Sequence, residues 1–438
     1  QLVGLVDAFL RATTPRAAHV AVLGDFGVQG GFFGGDVAII GAGFTGLNAA
    51  LHLAQDGVDV TVIDAQSISW GASGRNGGFC CLGGGVLDSR QLDKRYGVDA
   101  RRGWRQAEKD AIGHVEGLLK THSIDADTHS HGETLLAHKP SRWATLQEHA
   151  QHAADDYGVD PRLIPAQDLA DHGLNGPFHG ALTLPVGFAL NPLKYALGLA
   201  MAAQSAGATL YENSPITRIE QGAQFSLHTP QGRLTAKRVI IATNGYSSED
   251  VPDWLAARFM PVQSSVLVTR PLEEDEIKAA GWSSGQMAFD SRNLLHYFRL
   301  MPNRRFLFGM RGGIFASARS EAKIKSLIRS DFEQMFPAWK HVETPHYWSG
   351  LVCMNAKGAP FTGPIPEMPG AFASLSYHGN GVAMASYCGT LLADLAQDKE
   401  PRLPYPEILQ RQPSKFPLGR KRRWLLPPAY ALMGLMDR

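Results

Sequence analysis

The run DVAII (36–40) is apolar without alternation, as a short strand buried on both faces requires. Beyond a cluster of glycines, Leu47, Ala50, Leu51 and Ala54 recur at i, i+3, i+4 and i+7. That spacing predicts a helix over roughly 46–56 with one apolar face, and Gly57 stands where a C-terminal cap belongs. VDVTVID (58–64) predicts a second strand. The stretch from about 100 to 180 is polar and rich in His, Gln and Lys, and predicts helices. Near 239–246, RVIIATNGYS reads as a buried strand running into a loop. Between 262 and 315 the pattern becomes β-like, with Pro302-Asn303 as a hairpin turn. A final helix led by glycine spans about 381–396. The lead-in, 1–35, ends in GVQGGFFGG and reads as a flexible run, and no internal repeat is visible.

The glycines after the first strand give this pattern its chemistry. Gly41, Ala42, Gly43, Phe44, Thr45 and Gly46 spell GxGxxG between a strand and an amphipathic helix, and the next strand ends in Asp64. Gly41 permits the tight turn, Gly43 lets the backbone approach a diphosphate, and Gly46 lets the helix pack on the strand. The helix N-terminus favours the anion, and Asp64 can accept hydrogen bonds from ribose hydroxyls. HVAVLG followed by DFGVQGG, upstream, has the wrong glycine spacing and no helix behind it. A nicotinamide dehydrogenase would continue with further βα units. Here the chain instead enters GASGRNGGFCCLGGG (71–85), read as a loop with almost no helical or strand character. It suits a long cofactor threading through the protein, or a plain surface linker.

Composition narrows the field. The 42 basic and 41 acidic side chains nearly cancel, which gives no electrostatic footprint for nucleic acid. Four cysteines, two of them adjacent, do not make a disulfide scaffold. No apolar run approaches the roughly 20 residues of a membrane span, and no signal peptide is recognisable, so a cytoplasmic setting is expected. The histidines show no HExxH spacing, and no metal is expected.

Five stretches, in order, make the chain resemble the amine-oxidising branch of the D-amino acid oxidase superfamily, and within it the gamma-glutamylputrescine oxidase-like flavoproteins. They are DVAIIGAGFTGLNAALHLAQDGVDVTVIDA, WGASGRNGG, RVIIATNGYS, WSGLVCMNAKGAPFTGPIP and SYHGNGVAMASYCGTLLADLA, spanning about 36–396. The resemblance implies an α/β fold (α+β overall), with a Rossmann-type FAD-binding domain and an antiparallel-sheet substrate domain interleaved in sequence. The expected division is 36–100, 185–255 and 348–400 for the first, 101–184 and 256–347 for the second, and 401–438 as an extension.

The resemblance also implies site residues. Ala65, Gly71, Ala72, Ser73, Gly74, Arg75, Asn76, Gly77 and Gly78 would line the pyrophosphate and flavin. Ile216 would meet adenine through its backbone, and Ala242, Thr243, Asn244 and Gly245 would carry the chain back past the cofactor. His378, Gly379, Asn380, Gly381 and Val382 would bring a helix N-terminus under the flavin's pyrimidine edge, where hydride arrival leaves negative charge. The small residues Ala383, Ala385, Ser386 and Gly389 would let that helix approach closely, or serve ordinary helix packing. In sarcosine oxidase relatives a Cys-Met pair in this segment attaches to the flavin. Cys353-Met354 fits that position, and a buried inert thiol is the other reading. Two departures stand out: Asp64 where FAD members more often carry Glu, and Lys357-Gly358 where relatives often have an acid.

The expected activity is oxidation of an amine or amino acid C–N bond by hydride transfer to FAD, with O2 as acceptor. A dehydrogenase feeding a quinone or carrier, and a subunit with structural FAD, are the alternatives. The substrate wall is expected from 262–315. There His296, Tyr297 and Arg299, alternating with Leu295 and Phe298, turn one face to the cavity. Arg299, Arg305 or Arg311 would bind a substrate carboxylate, or serve a sheet face or an ion pair. His378, Tyr297 and Arg299 are the catalytic candidates. The C-terminal GRKRRWLLPPAYALMGLMDR sets a basic cluster beside an apolar segment that Pro427-Pro428 interrupts. It suits an anionic membrane or a partner, or packing against the cofactor domain.

Overall fold

The computed structural model describes residues 32–313 and 318–438. Most of the lead-in and the upstream glycine decoy lie outside the described residues. The end of the run read as flexible is strand: Phe32–Ile40 begins ahead of the predicted apolar core and includes Gly34 and Gly35. It is central in the first sheet, pairing in parallel with Arg233–Ile241 on one side and Val60–Ile63 on the other. Thr209–Tyr211 and Ala371–Leu375 extend these parallel pairings, and Phe361–Pro364 closes one edge antiparallel. Ala38, Ile39, Val60, Val62 and Ile63 are fully or nearly fully buried, which is why the strands show no alternation.

The first helix, Phe44–Gln55, starts at Gly43 and packs its apolar face on this sheet and on the helices Pro192–Ser205 and Gly381–Leu395. Gly57, at φ +79°, is the left-handed residue that follows its end.

The second sheet has eight strands, antiparallel except where Met287–Asp290 runs parallel to Glu133–Leu136. Met260–Val268, Met287–Asp290, His296–Leu300 and Phe306–Arg311 fall in the stretch read as β-like, and the turn between the last two contains Pro302-Asn303. Three further strands, Glu133–Leu136, Arg162–Pro165 and Gly180–Leu184, come from the stretch read as helical. That reading holds for Val98–Thr121 and Pro140–Tyr157 only. The strand His346–Met354 pairs along its length with Met260–Val268, so the division expected near 348 falls inside the second sheet. Behind this sheet, Phe298, Phe306, Phe308, Phe332, Phe336, Trp282 and Trp339 form a buried aromatic core.

The glycine-rich loop carries some regular structure after all. Ala72–Arg75 is a helical turn, and Phe79–Cys80 pairs with Phe188–Ala189. At the C-terminus, Pro427 and Pro428 occupy the first turn of the helix Leu426–Met436, where proline's missing N–H costs nothing, so they start the helix rather than interrupt it. Arg422 is buried, with Nη1 2.6 Å from Glu249 Oε1, and Asp437 accepts hydrogen bonds from the Asn293 and Leu294 N–H groups. Among the described residues no helix is long and apolar enough to cross a membrane.

Candidate active site

A cavity of about 510 Å³ runs from the carboxyl ends of the first sheet's parallel strands to the face of the second sheet. One end of it is formed by the glycine turn. Gly41 has φ +107°, and a Cβ there would stand 2.8 Å from the Ala242 carbonyl oxygen, so only glycine closes this turn. A Cβ at Gly46 would stand 1.9 Å from the Gly41 oxygen, which is the close helix-to-strand packing its place in the fingerprint predicts. Ser73 Oγ accepts the Phe44 N–H at 2.9 Å, holding the helical turn Ala72–Arg75 against the helix start.

Asp64 stands at the tip of the second strand. Its Oδ2 accepts the Ala42 N–H at 2.7 Å and its Oδ1 the Gln66 N–H at 2.9 Å. Burial pushes its carboxyl up to about 6; the two N–H groups pull it down and the Glu212 charge pushes it further up. Such a group gains from hydroxyl donors that would relieve its desolvation.

Gly41, Gly43, Phe44, Thr45, Asp64, Ala65, Gly71, Ala72, Ser73, Arg75, Asn76 and Gly77 all face the cavity, as do Ile216, Ala242, Thr243, Asn244 and Cys353. The turn into the last helix completes the wall with His378, Gly379, Asn380, Gly381 and Val382. Ala42, Gly46, Gly74, Gly78 and Gly245 do not reach its surface, because each is taken up in packing. Ala42 serves Asp64, a Cβ at Gly74 would meet the Ser69 oxygen at 2.3 Å, and one at Gly78 the Leu190 oxygen at 2.0 Å. At Gly245 it would press on Leu351, 3.3 Å away. Gly389 brings its helix against Thr45 and Asn48 of the first helix, so its smallness serves helix packing.

Tyr297 leans over the loop, and a Cβ at Gly77 would stand 2.8 Å from its ring. Its hydroxyl lies 3.0 Å from Ser264 Oγ. Strand alternation sorts its neighbours differently from the expectation. Leu295 and Tyr297 face the cavity, whereas His296 and Phe298 face the aromatic core on the opposite side, because adjacent strand residues point to opposite faces and His296 cannot share one with Tyr297. His296 is held between Asp290 and Asp331, at 2.9 and 3.1 Å. Arg299 is buried away from the large cavity, donating to the Leu190 oxygen at 2.8 Å and to His129 at 3.0 Å, and it lines a smaller cavity of about 170 Å³. Arg305 donates to the Thr269 oxygen and reaches neither cavity. Of the three arginines weighed for a carboxylate, only Arg311 faces the large cavity. Its Nη2 donates to the His378 oxygen at 3.1 Å, and no ion pair to it is found among the described residues.

His378 has φ +53°, and neither ring nitrogen has a partner among the described residues. Burial pushes its pKa down to about 3, helped by the Arg311 and Lys357 charges, so the ring is neutral. Burial likewise pushes the Cys353 thiol up to about 12, the contact with Ser376 Oγ at 3.4 Å opposing this. Lys357 turns away from the cavity and donates to the Pro360 and Ile408 oxygens at 2.8 and 2.9 Å. Glu133, Phe79, Cys81 and Phe289 also line the cavity, and the sequence reading missed all four. For Glu133 the only local signal is the short apolar run Leu135-Leu136 behind Gly132, too brief to stand out from the polar stretch around it. Among the described residues no group of His, Cys, Asp and Glu is placed to hold a metal ion.

The glycine cradle, the acid at the second strand tip and the long cavity fit a dinucleotide bound in extended form. Comparison with known proteins agrees. Residues 36–395 match the family described as FAD dependent oxidoreductase (DAO). The chain is 34% identical over 407 residues to a probable oxidoreductase OrdL of Rhizobium meliloti, covering 92% of each. It is 31% identical over 390 residues to the gamma-glutamylputrescine oxidoreductase of Escherichia coli, covering 89% of each. Its fold is similar to that of glycine oxidase from Geobacillus kaustophilus, with a TM-score of 0.70 at 21% identity over 87% of this chain and all of that one. The chain therefore belongs to the DAO family of FAD-dependent oxidoreductases, and is an enzyme with an FAD-binding Rossmann-type domain and an interleaved antiparallel-sheet domain.

Proposed function

We propose that this enzyme oxidises a C–N bond of an amine or amino acid, with O2 as electron acceptor and H2O2 as product. The observation that carries the reading is the continuity of one cavity from Asp64, at the dinucleotide fingerprint, to Tyr297 and Arg311 on the second sheet. The relative that acts on gamma-glutamylputrescine supports the substrate class.

Asp64 would hold the adenosine ribose, the turn Gly41–Thr45 with Ser73 the diphosphate, and Gly379–Val382 the pyrimidine edge of FAD. Bound FAD supplies the hydride acceptor, turning an amine into an imine that water hydrolyses. The side chains of this protein do the rest. Arg311 offers a planar donor fork to a substrate carboxylate. Its charge also raises the cost of a second cation nearby, so the uncharged amine is the favoured bound form. The neutral His378 ring offers an acceptor to that amine's N–H. Tyr297 walls off the flavin side of the loop, and Phe79, Phe289 and Leu295 exclude water from the reacting centre.

An acceptor other than O2 is favoured by one observation. Trp424, Leu432, Leu435 and Met436 expose apolar surface beside the exposed Arg420 and Lys421, as contact with a carrier or lipid surface would require. Oxygen uptake and peroxide yield during turnover with amines test the acceptor. One H2O2 per substrate supports the oxidase reading. Turnover that needs an added quinone or dye, with no peroxide, overturns it.

A further inference from the structure

One ionisable side chain on the cavity wall has no part in the chemistry above. Glu133 opens the strand Glu133–Leu136, is 7% exposed, and lines the large cavity. No ion pair to it is found among the described residues, and its side chain is hydrogen-bonded with the Cys81 thiol. Burial pushes its carboxyl up to about 8, the Cys81 contact opposing this and the Glu108 charge adding to it. A carboxyl held out of water without a cation gains most from a ligand that brings one.

Strand register places it relative to Arg311. Glu133 pairs with Met287, Phe289 with Tyr297, and Tyr297 with Gly309, two residues before Arg311. Paired residues share a face and alternate residues return to it, so Glu133, Phe289, Tyr297 and Arg311 all stand on the cavity side. The strands of Arg311 and Glu133 are three steps apart in the sheet, about 14 Å at the usual strand spacing. The two residues are also offset along the strand direction. On its second-sheet face the cavity thus has a cation toward one side, a carboxyl toward the other, and apolar surface from Phe289 and Leu295 between. An amino acid of glycine's size carries its two charges too close together to reach both.

We propose that Glu133 is a specificity-determining residue that receives a protonated nitrogen at one end of an elongated substrate whose carboxylate Arg311 holds at the other. This rests on the amine or amino acid reading above, but it is tested by binding and not by turnover. The probes are ω-amino carboxylates from glycine to 8-aminooctanoate, each with the fatty acid of matched length, titrated anaerobically into the FAD-loaded enzyme and read as perturbation of the flavin's visible spectrum. Affinity is expected to rise with chain length, and the longest ω-amino acid to bind about tenfold or more tighter than its fatty acid. In Glu133→Gln this advantage should fall to about twofold or less while the fatty acids bind as before. A series flat with length in the unaltered enzyme overturns the proposal, and so does an advantage that survives in Glu133→Gln. If that variant does not fold, the length series alone decides. A failure of the amine reading would show instead as a flavin that no amine reduces.

Discussion

Asp64 and Ala42, twenty-two positions apart, are joined by a hydrogen bond of 2.7 Å from the Ala42 N–H to Asp64 Oδ2. This bond ties the tip of the second strand to the middle of the glycine turn. The acid that would hold the ribose therefore also fixes the backbone that would approach the diphosphate. With burial raising its carboxyl to about 6, Asp64 is partly protonated in mildly acidic solution, and Glu212 is the charged neighbour that adds to the shift.

A ribose hydroxyl donates to the ionised acid, so FAD binding lowers this pKa and releases a proton. FAD affinity of the apoprotein should rise about tenfold between about pH 5 and about pH 7, flattening above the carboxyl's own pKa. Asp64→Asn should flatten the profile. Fluorescence titration of FAD across pH checks both.

The Gly46 contact predicts a steric effect that backbone cannot relieve, since the obstructing atom is the Gly41 oxygen at 1.9 Å. Gly46→Ala should cost roughly 2–4 kcal/mol and reduce flavin content. Gly103→Ala, in the helix Val98–Thr121 with nothing within 4 Å, should be neutral or stabilising. Thermal unfolding and the flavin-to-protein ratio report the pair.

His296 sits behind the cavity wall. Burial of the ring opposes its charge, but the hydrogen bonds with Asp290 and Asp331 overcome this and raise it to about 9 from 6.5. A raised histidine contributes stability that is complete below its unfolded value and is lost as pH rises through the folded one. His296→Gln should therefore cost about 1–3 kcal/mol at about pH 6, with a smaller gap above about pH 9. Urea unfolding at the two pH values measures the difference.

Cys353 faces the cavity, yet its thiol is pushed up to about 12 by burial, away from the thiolate that flavin attachment needs. Acid precipitation should leave all flavin colour in the supernatant. Colour in the pellet that Cys353→Ser abolishes would show covalent attachment instead.

The parts of this site legible in the sequence were those written locally. The turn Gly41–Gly46, its helix and the acid at the second strand tip lie within thirty residues and carry their own periodicity. Tyr297 and Arg311 were also within reach, on strands with β-favouring runs. Glu133 was not. Its strand is four residues long, sits between helices, and is defined by Met287, its partner across a long stretch of chain. The sorting of Leu295 and His296 failed for a related reason: alternation puts His296 and Tyr297 on opposite faces, and which face is inward depends on the distant residues that pack on each. Arg299 illustrates the same limit, since its parity matches Tyr297 while the loop Asn76–Gly78 lies between it and the large cavity.

The central step is delivery of hydride from an amine to FAD bound in the large cavity. The direct measurement is the visible spectrum of the purified, FAD-loaded enzyme mixed anaerobically with polyamines, N-methyl amino acids and amino acids. Loss of the oxidised flavin's absorbance with at least one of them is the predicted result. A flavin that dithionite bleaches but every amine leaves unchanged would contradict it.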